Sequence, residues 1–335
     1  MTIRERIYKQ EALLLSPYAA KCENTKGRLR PEEEGDLRTE YMRDRDRIIH
    51  CKAFRRMKDK TQVFLYPDSS HYRTRLTHTM EVSQIARTIA KALSLNEDLT
   101  EAIALGHDLG HTPFGHAGER ALDTILPFSH NEQSIRVVTM IEKNGMGLNL
   151  THEVLDGILN HKKSLRPETL EGMAVNFSDR IAYLNHDIDD AIRAGILKNE
   201  DLPKACTEIL GETHSRRIGN MINDIVNVSE GKNCLMQSDA FARATELLRD
   251  FMFSEVYTNP YAKAEEKKVD GVIAHLFEYY MKNLSELPNY IYRQIEKEGK
   301  ERCVADYIAG MTDAYIISRY AELYVPKGWN PIQSL

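Results

Sequence analysis

Apolar residues recur at helical spacing along most of this 335-residue chain, and this pattern restricts the fold more than any other feature. Val82, Ile85 and Ile89 fall at i, i+3 and i+7, so they line one face of a helix. Isoleucines and leucines form a similar stripe in 178–193. Alternating strand patterns are nearly absent, and we expect at most a short ribbon near 62–66. The sequence therefore predicts an all-α fold with little or no sheet.

Stretches rich in glycine, proline and charged residues separate the periodic segments. The predicted helices are 77–93, 98–109, 132–142, 151–161, 178–193, 240–255, 268–284 and 302–324. The predicted loops are 22–38, 110–118 and 162–172. We expect an N-terminal arm with helices over 1–60, a core that carries the site over 61–195, and a helical region over 196–335. The last region would complete the pocket and form oligomer contacts.

Composition argues against several classes of protein. The net charge of −5, from 45 basic and 50 acidic residues, gives no general signal for nucleic-acid or membrane binding. No segment approaches the roughly 18 apolar residues of a membrane helix, and the N-terminus does not resemble a signal peptide. The five cysteines lie far apart without CxxC spacing, which argues against a zinc ribbon or a disulfide framework. We therefore expect reduced thiols and a cytoplasmic location.

The adjacent residues His107 and Asp108 open an unusual run, HDLGHTPFGHAGE, at 107–119. The run holds three histidines and two acids among its glycines. Imidazole and carboxylate groups bind metal ions, and glycine lets the backbone approach an ion or a phosphate closely. A core helix would not favour this mixture of residues. We predict that His107 and Asp108 bind one ion from neighbouring positions on a helix.

His78 lies one helical turn before Val82, on the buried stripe of its predicted helix. Alone it would be interpreted as a core histidine with a satisfied hydrogen bond. The presence of the His107-Asp108 pair makes a third metal ligand the better interpretation. Two histidines with carboxylates suit a divalent ion such as Mn, Fe, Ni, Zn or Mg, which would activate water and polarise a phosphorus centre.

A fourth ligand is expected from the distant segment 179–190. Asp179, Asp187 and Asp190 share one helix face with Tyr183, opposite the isoleucine stripe. A solvated acidic face is the alternative interpretation. Spacing alone does not choose between Asp179 and Asp187 as the ligand.

Arginines and lysines concentrated between positions 43 and 75 form a basic approach to this site. About half of them are expected to be ordinary solvated residues. Arg75 differs because it precedes His78 by one helical turn, which places it beside the predicted metal. A planar guanidinium there suits a phosphate group.

His116 and Glu119 are spaced to pair on one helix face as a carboxylate–imidazole acid/base group. A local surface pair is the alternative interpretation. His130 opens a further polar cluster at the start of a predicted helix, and it could supply a second histidine to the same pocket.

Taken together, these stretches resemble the HD-domain deoxynucleoside triphosphate triphosphohydrolases, the bacterial dGTPase-like proteins. The matching segments are 15–19, 38–40, 43–50, 52–56, 60–64, 71–78, 107–119, 130–134, 179–183 and 306–313. The resemblance implies an HD-domain helical bundle with additional C-terminal helices. It also implies the hydrolysis of a dNTP to a deoxynucleoside and inorganic triphosphate.

The resemblance assigns roles to individual residues. It implies a metal set of His78, His107, Asp108 and Asp179. Asp179 is thereby favoured over Asp187 as the fourth ligand. The implied acid/base residue is His116, oriented by Glu119, with His130 near the α-phosphate.

Substrate contacts also follow from the resemblance. Arg75 and Arg180 would hold phosphates. Asp187, with help from Gln62, would face the deoxyribose 3′-hydroxyl. Tyr183 would lie against the sugar, where it could disfavour a 2′-hydroxyl by crowding.

The expected partners are deoxynucleoside triphosphates as substrates, and also as effectors bound between the subunits of a homo-oligomer. No membrane partner is expected, and the basic N-terminal region supports single-stranded nucleic acid only weakly. Two other functions remain open: a different HD nucleotidase or phosphodiesterase, and a nucleotide- or nucleic-acid-binding protein with an inactive site. The products of hydrolysis separate the first from the main prediction, and the complete ligand set argues against the second.

Overall fold

The computed structural model describes residues 1–33, 37–62, 72–259 and 265–327. These residues form helices joined by short connections and contain no strand. Two isolated bridges, Arg28 with Thr151 and Thr61 with Thr74, are the only sheet-like pairings among them. The all-α prediction is confirmed. The expected ribbon near 62–66 lies almost wholly outside the described residues.

The N-terminal helices cover one side of the bundle. Their bounds are Ile3–Leu14 (α1), Glu40–Ile49 (α2) and Lys52–Arg56 (α3), with 3₁₀ turns at Cys22–Asn24 and Met57–Asp59. Arg28 ties the intervening loop to α2, because its guanidinium donates to the buried carboxylate of Asp44 and to the carbonyl of Asn149. Asp44 in turn accepts from the backbone and the hydroxyl of Thr151.

The central helices form the core that positions the site. Their bounds are Arg75–Ala92 (α4), Glu97–Gly106 (α5), Gly115–Asp123 (α6), His130–Arg136 (α7), Glu142–Gly145 (α8), His152–Leu159 (α9) and Leu170–Arg193 (α10), with a π-helical turn at Val137–Ile141 after α7. Helix α4 packs between α5 and α10. Val82, Ile85 and Ile89 of α4 are buried at this junction, so the predicted stripe is confirmed.

Several predicted boundaries were wrong because local hydrogen bonds override periodicity. Helix α5 ends at Gly106 rather than 109, since the next residues form tighter i→i+3 turns. Helix α6 begins inside the predicted loop 110–118. Helix α10 begins at Leu170, inside the predicted loop 162–172, because the Thr169 hydroxyl caps it by accepting from Gly172 N–H at 3.1 Å.

The C-terminal helices follow α10. Their bounds are Lys204–Leu210 (α11), His214–Ser229 (α12), Asp239–Met252 (α13), Glu266–Lys282 (α14), Asn289–Tyr292 (α15), Ile295–Glu298 (α16), Lys300–Ala309 (α17) and Asp313–Tyr324 (α18), with 3₁₀ turns at Asn199–Asp201 and Leu284–Glu286 and a π-helical turn at Phe253–Tyr257. The predicted helix 302–324 is two helices, since Thr312 caps a new start by accepting from Tyr315 N–H.

A second apolar cluster joins the C-terminal helices to α6. Leu122 of α6 and Phe128 are buried with Ile273 and Leu276 of α14 and with Val304 of α17. Since α6 carries two predicted site residues, these contacts fix the site to the C-terminal region. The unit boundaries at residues 60 and 195 stay a prediction.

Polar contacts strengthen the same connection. The buried carboxylate of Asp313 accepts from the backbone N–H of Thr61 and of Phe114, both at 2.9 Å. The buried Lys60 ammonium donates to the carbonyls of Ala309 and His111. Burial lowers the pKa of Lys60 to about 7. The loop before α6 is therefore attached both to residues 60–61 and to the C-terminal helices α17 and α18.

The state of the cysteines agrees with the reduced thiols predicted from the sequence. All five cysteines are free thiols, and four of them are buried. Among the described residues, no helix combines the length and the apolar character needed to cross a bilayer. The cytoplasmic location stays a prediction.

Glu171 is a fully buried acid at the start of α10. One carboxylate oxygen accepts from the backbone N–H groups of Ala20 at 3.0 Å and Asn96 at 2.9 Å, while the other has no partner among the described residues. Burial raises the pKa of Glu171 to about 7 from the usual 4.5. The folded protein therefore binds more protons here than the unfolded chain, and it loses stability as the pH rises from about 5 to 8.

We expect Glu171→Gln to remove this loss, because the amide keeps the accepting oxygen and carries no charge. Relative to the wild type, its free energy of unfolding should rise by about 1–3 kcal/mol between pH 5 and pH 8. Urea unfolding at both pH values measures the difference, with Glu230→Gln at an exposed position as the control. Parallel pH dependences for wild type and Glu171→Gln would contradict the expectation.

Candidate functional site

Four predicted ligands, which come from three separate parts of the chain, converge in one place. His78 lies on α4, His107 and Asp108 follow α5 directly, and Asp179 lies in the middle of α10. The Nε2 atom of His78 is 3.1 Å from Asp179 Oδ1 and 4.0 Å from Asp108 Oδ2. The Nε2 atom of His107 is 3.5 Å from Asp108 Oδ1 and 3.8 Å from Asp179 Oδ1. Ligand atoms of His78, His107 and Asp179 all lie within 4.8 Å of one another, and Asp108 lies beside them, within 4.0 Å of both imidazoles.

The ring of His107 is oriented toward this cluster by the backbone. Its Nδ1 lies 2.6 Å from the carbonyl of Ala104, which can only accept, so Nδ1 carries the hydrogen. The opposite atom, Nε2, is buried and has no hydrogen-bond partner among the described residues. A buried imidazole lone pair that faces carboxylates is what a bound cation requires.

Both carboxylates of the cluster are held in the charged form. Burial alone would raise the pKa of Asp108, but His107, His111 and Arg75 around it lower that pKa well below the usual range. Burial likewise acts on Asp179, where the hydrogen bond from His78 and the nearby His107 outweigh it and lower the pKa. Two carboxylates and two imidazoles therefore fit a divalent ion of hard or borderline character.

Arg75 places a guanidinium beside this cluster. Its Nη1 donates to Asp108 Oδ2 at 2.7 Å, and both side chains are buried. Its Nε and Nη2 atoms have no partner among the described residues. Gly115 makes room here, since a Cβ would lie 3.1 Å from Arg75 Nη2 and 3.4 Å from the Gln62 carbonyl oxygen. The φ of +56° at Gly115 also favours glycine.

A second cluster centres on Glu119 of α6. Its carboxylate accepts from Nδ1 of His116 at 3.1 Å and from Nδ1 of His130 at 2.9 Å. His130 is buried, whereas the side chain of His116 is 64% exposed. Burial would raise the pKa of Glu119, but the bonds from both histidines hold it far below the usual range. The predicted His116–Glu119 contact is confirmed, and its extension to His130 was not predicted.

His111 connects the two clusters. Its ring stacks on His130 with centroids 4.0 Å apart, and its Nε2 lies 3.2 Å from Asp108 Oδ1. The candidate ligands and the candidate acid/base residues therefore line one continuous polar site.

The later residues on the polar face of α10 make contacts with side chains other than the candidate ligands. Asp187 accepts a hydrogen bond from the hydroxyl of Tyr257, and burial raises the pKa of Asp187 to about 7. Tyr183, one turn earlier, is half-buried, and its pKa rises to about 12 because of burial and the nearby Asp179. Asp190 pairs with Arg73 at 2.8 Å. Only Asp179 of this face reaches the candidate ligands.

Arg180 makes local contacts within α10. Its Nη2 donates to Asn176 Oδ1 at 3.2 Å, and its guanidinium lies 5.3 Å from the centre of the Phe177 ring. The role predicted for it toward phosphate stays a prediction, as does the role of Gln62 toward the sugar.

Sequence reasoning missed three residues of this region. His111 lies within the 107–119 run but was given no role, although its position one turn after His107 could have identified it. His161 ends a predicted helix and has no motif around it. Tyr257 reaches Asp187 from the π-helical turn of the C-terminal region, a contact that no local pattern indicates.

Comparisons with known proteins agree with this geometry. The HD domain family matches residues 75–184, and the phosphohydrolase-associated domain family matches residues 235–322. A deoxyguanosinetriphosphate triphosphohydrolase-like protein of Caldanaerobacter subterraneus subsp. tengcongensis is 56% identical over 331 residues, which is 98% of each chain. A protein of the same description from Clostridium perfringens is 52% identical over 98% of this chain and 99% of its own length.

A solved structure supports the fold alone. A phosphohydrolase from Bacteroides thetaiotaomicron superposes with a TM-score of 0.53 at 17% identity, covering 83% of this chain and 68% of its own.

Proposed function

We propose that this chain, which belongs to the family of deoxyguanosinetriphosphate triphosphohydrolase-like HD proteins, hydrolyses deoxynucleoside triphosphates to deoxynucleoside and inorganic triphosphate. Family membership makes it a metal-dependent phosphohydrolase, and the choice of substrate and of scissile bond is the proposal. One observation carries it. A cluster of four candidate ligands, three of them buried, adjoins both a guanidinium with two nitrogens unpaired among the described residues and a pair of histidines linked by a carboxylate.

In the proposed reaction, water adds to the α-phosphorus and the bond from that phosphorus to the 5′-oxygen breaks. A divalent ion at His78, His107, Asp108 and Asp179 would lower the pKa of water and polarise the phosphorus centre. The leaving 5′-oxygen needs a proton. His116, in its protonated form, can supply it from Nε2, because its Nδ1 is held by Glu119 and its side chain is exposed.

Substrate binding uses the remaining residues. Arg75 and Arg180 contact the phosphates, which carry about four negative charges and need several cationic partners. Asp187, helped by Gln62, accepts from the 3′-hydroxyl. Tyr183 occupies the space of a 2′-hydroxyl and so disfavours ribonucleotides.

Product analysis tests this function. Metal-loaded protein is incubated with each dNTP, alone and with the others present, and with the matching ribonucleoside triphosphate as control. Chromatography should identify deoxynucleoside and triphosphate from the dNTPs and little product from the ribonucleotides. A dependence of the rate on a second dNTP would support effector sites. Monophosphate with pyrophosphate, or release of orthophosphate, would refute the proposed bond cleavage.

A further inference from the structure

The turn that leads into α6 adopts a conformation that its own residues do not favour. Phe114 stands at the N-cap position of α6 with a left-handed φ of +63°, and Gly115 follows at +56°. A bulky residue keeps such a backbone only where surrounding contacts hold it. Phenylalanine also lacks the side-chain oxygen with which serine or threonine caps a helix. His116 is the second residue of α6, so its placement depends on the contacts that hold Phe114.

Asp313 at the start of α18 supplies one of these contacts. One oxygen of its carboxylate, Oδ1, accepts from the backbone N–H of Phe114 at 2.9 Å. The other, Oδ2, accepts from the backbone N–H and from the hydroxyl of Thr61. The side chain is 1% exposed, and a carboxylate makes stronger hydrogen bonds than a neutral acceptor. The C-terminal region therefore holds the residue before α6 through a side chain 199 positions away in the chain.

The other end of the loop before α6 has a separate attachment. Lys60 donates to the carbonyls of His111 and Ala309, so His111 is held independently of α18. The apolar cluster shared with α14 holds the later part of α6. The bond to Phe114 therefore acts on the first turn of α6, where His116 lies, rather than on the candidate ligands.

We propose that Asp313 is a positioning residue for the proposed reaction. Through Phe114 it holds His116 beside His111, and the ring centroids of the two histidines lie 5.1 Å apart. His111 Nε2 lies 3.2 Å from Oδ1 of the candidate ligand Asp108. A displacement of about 1 Å can lower a catalytic rate by about 10²-fold, so the reaction depends on this placement. The inference rests on the proposed role of His116 as the proton donor, and it gives the C-terminal region a part in the reaction.

Asp313→Asn separates the two sets of contacts. The favoured orientation of the amide keeps its oxygen toward the two donors of Thr61, so its NH2 group faces the N–H of Phe114 and cannot accept a hydrogen bond. We expect kcat for dNTP hydrolysis by the manganese-loaded protein to fall by about 10–100-fold, with KM and metal content little changed. Thr312→Ala is the matched control, because it removes the cap of α18 and leaves the Asp313 carboxylate intact. It should keep kcat, and an equal loss of kcat in this control would overturn the proposal.

A double-mutant cycle distinguishes the positioning of His116 from a general structural role. If Asp313 acts through His116, adding Asp313→Asn to His116→Asn should lower kcat little further. Losses that multiply in the double variant, or wild-type kcat in Asp313→Asn alone, would overturn the positioning role. Wild-type kcat in His116→Asn would refute the proposed proton donor together with this inference, so the two failures are distinguished.

Hydrogen exchange tests the contact without measuring activity. Mass spectrometry with residue-level fragmentation follows the Phe114 amide, which in wild-type protein should exchange at least about 10²-fold more slowly than an unstructured amide. In folded Asp313→Asn this protection should fall by about tenfold or more, while the amides of α4 and α10 keep theirs. Rapid exchange of the Phe114 amide in wild-type protein, or unchanged protection in the variant, would contradict the proposed contact.

Discussion

Replacing His107 by alanine should lower kcat/KM by at least about 10³-fold, because a metal ion supplies several kcal/mol of transition-state stabilisation. The His107 ring has one hydrogen bond to the Ala104 carbonyl. Its other nitrogen faces the carboxylates of Asp108 and Asp179 and has no hydrogen-bond partner in the described part of the chain. The substitution therefore removes a ligand while leaving other polar contacts in place. Steady-state kinetics and metal analysis of the purified protein measure both losses.

Two controls separate ligand loss from unfolding. Metal-free His107→Ala and metal-free wild type are compared by thermal unfolding, since loss of the ring also leaves a cavity. His50→Ala removes an exposed histidine and should retain activity and metal. Full activity in a folded His107→Ala protein would show that the ring binds no essential ion.

Replacing His116 by asparagine should lower kcat by about 10²–10⁴-fold, the usual contribution of a positioned general acid. His116 bonds to Glu119 and to none of the four candidate ligands, so metal content should not change. Because the His116 side chain is exposed, the substitution should change the free energy of unfolding only slightly. Kinetics combined with metal analysis distinguishes this variant from His107→Ala, which should lose both activity and bound metal.

Glu119→Gln tests the same acid/base pair as His116→Asn. The amide can still accept one hydrogen bond, but it no longer offers charged oxygens to both His116 and His130. We expect a smaller loss of kcat than for His116→Asn. Wild-type kcat in His116→Asn, with metal bound, would exclude His116 as the proton donor.

The helical fold of the chain could be predicted from its sequence. The stripe of Val82, Ile85 and Ile89 predicted a buried face, and the structure buries it. His107 and Asp108 were identified by their chemistry and their neighbours. The choice of Asp179 over Asp187 came from the resemblance, since both occupy the same helix face and only packing of α10 on α4 brings Asp179 to His78.

Features that depend on tertiary packing could not be predicted from the sequence. His161 contacts His130, which is 31 residues away in the chain, through a ring orientation fixed by the Ile158 carbonyl. The sequence predicted only one histidine partner for Glu119, because the i,i+3 spacing on a helix identifies His116 and not His130. Helix starts at Leu170 and Asp313 were missed because a threonine cap changes the chain direction without altering the apolar period.

Anomalous diffraction from crystals of the manganese-loaded protein locates the bound ion. The expected peak lies within about 2.0–2.3 Å of ligand atoms from His78, His107, Asp108 and Asp179. A protein that is active and loaded, but whose ions lie away from His78 and His107 or lack Asp179 as a ligand, would contradict the four-ligand centre.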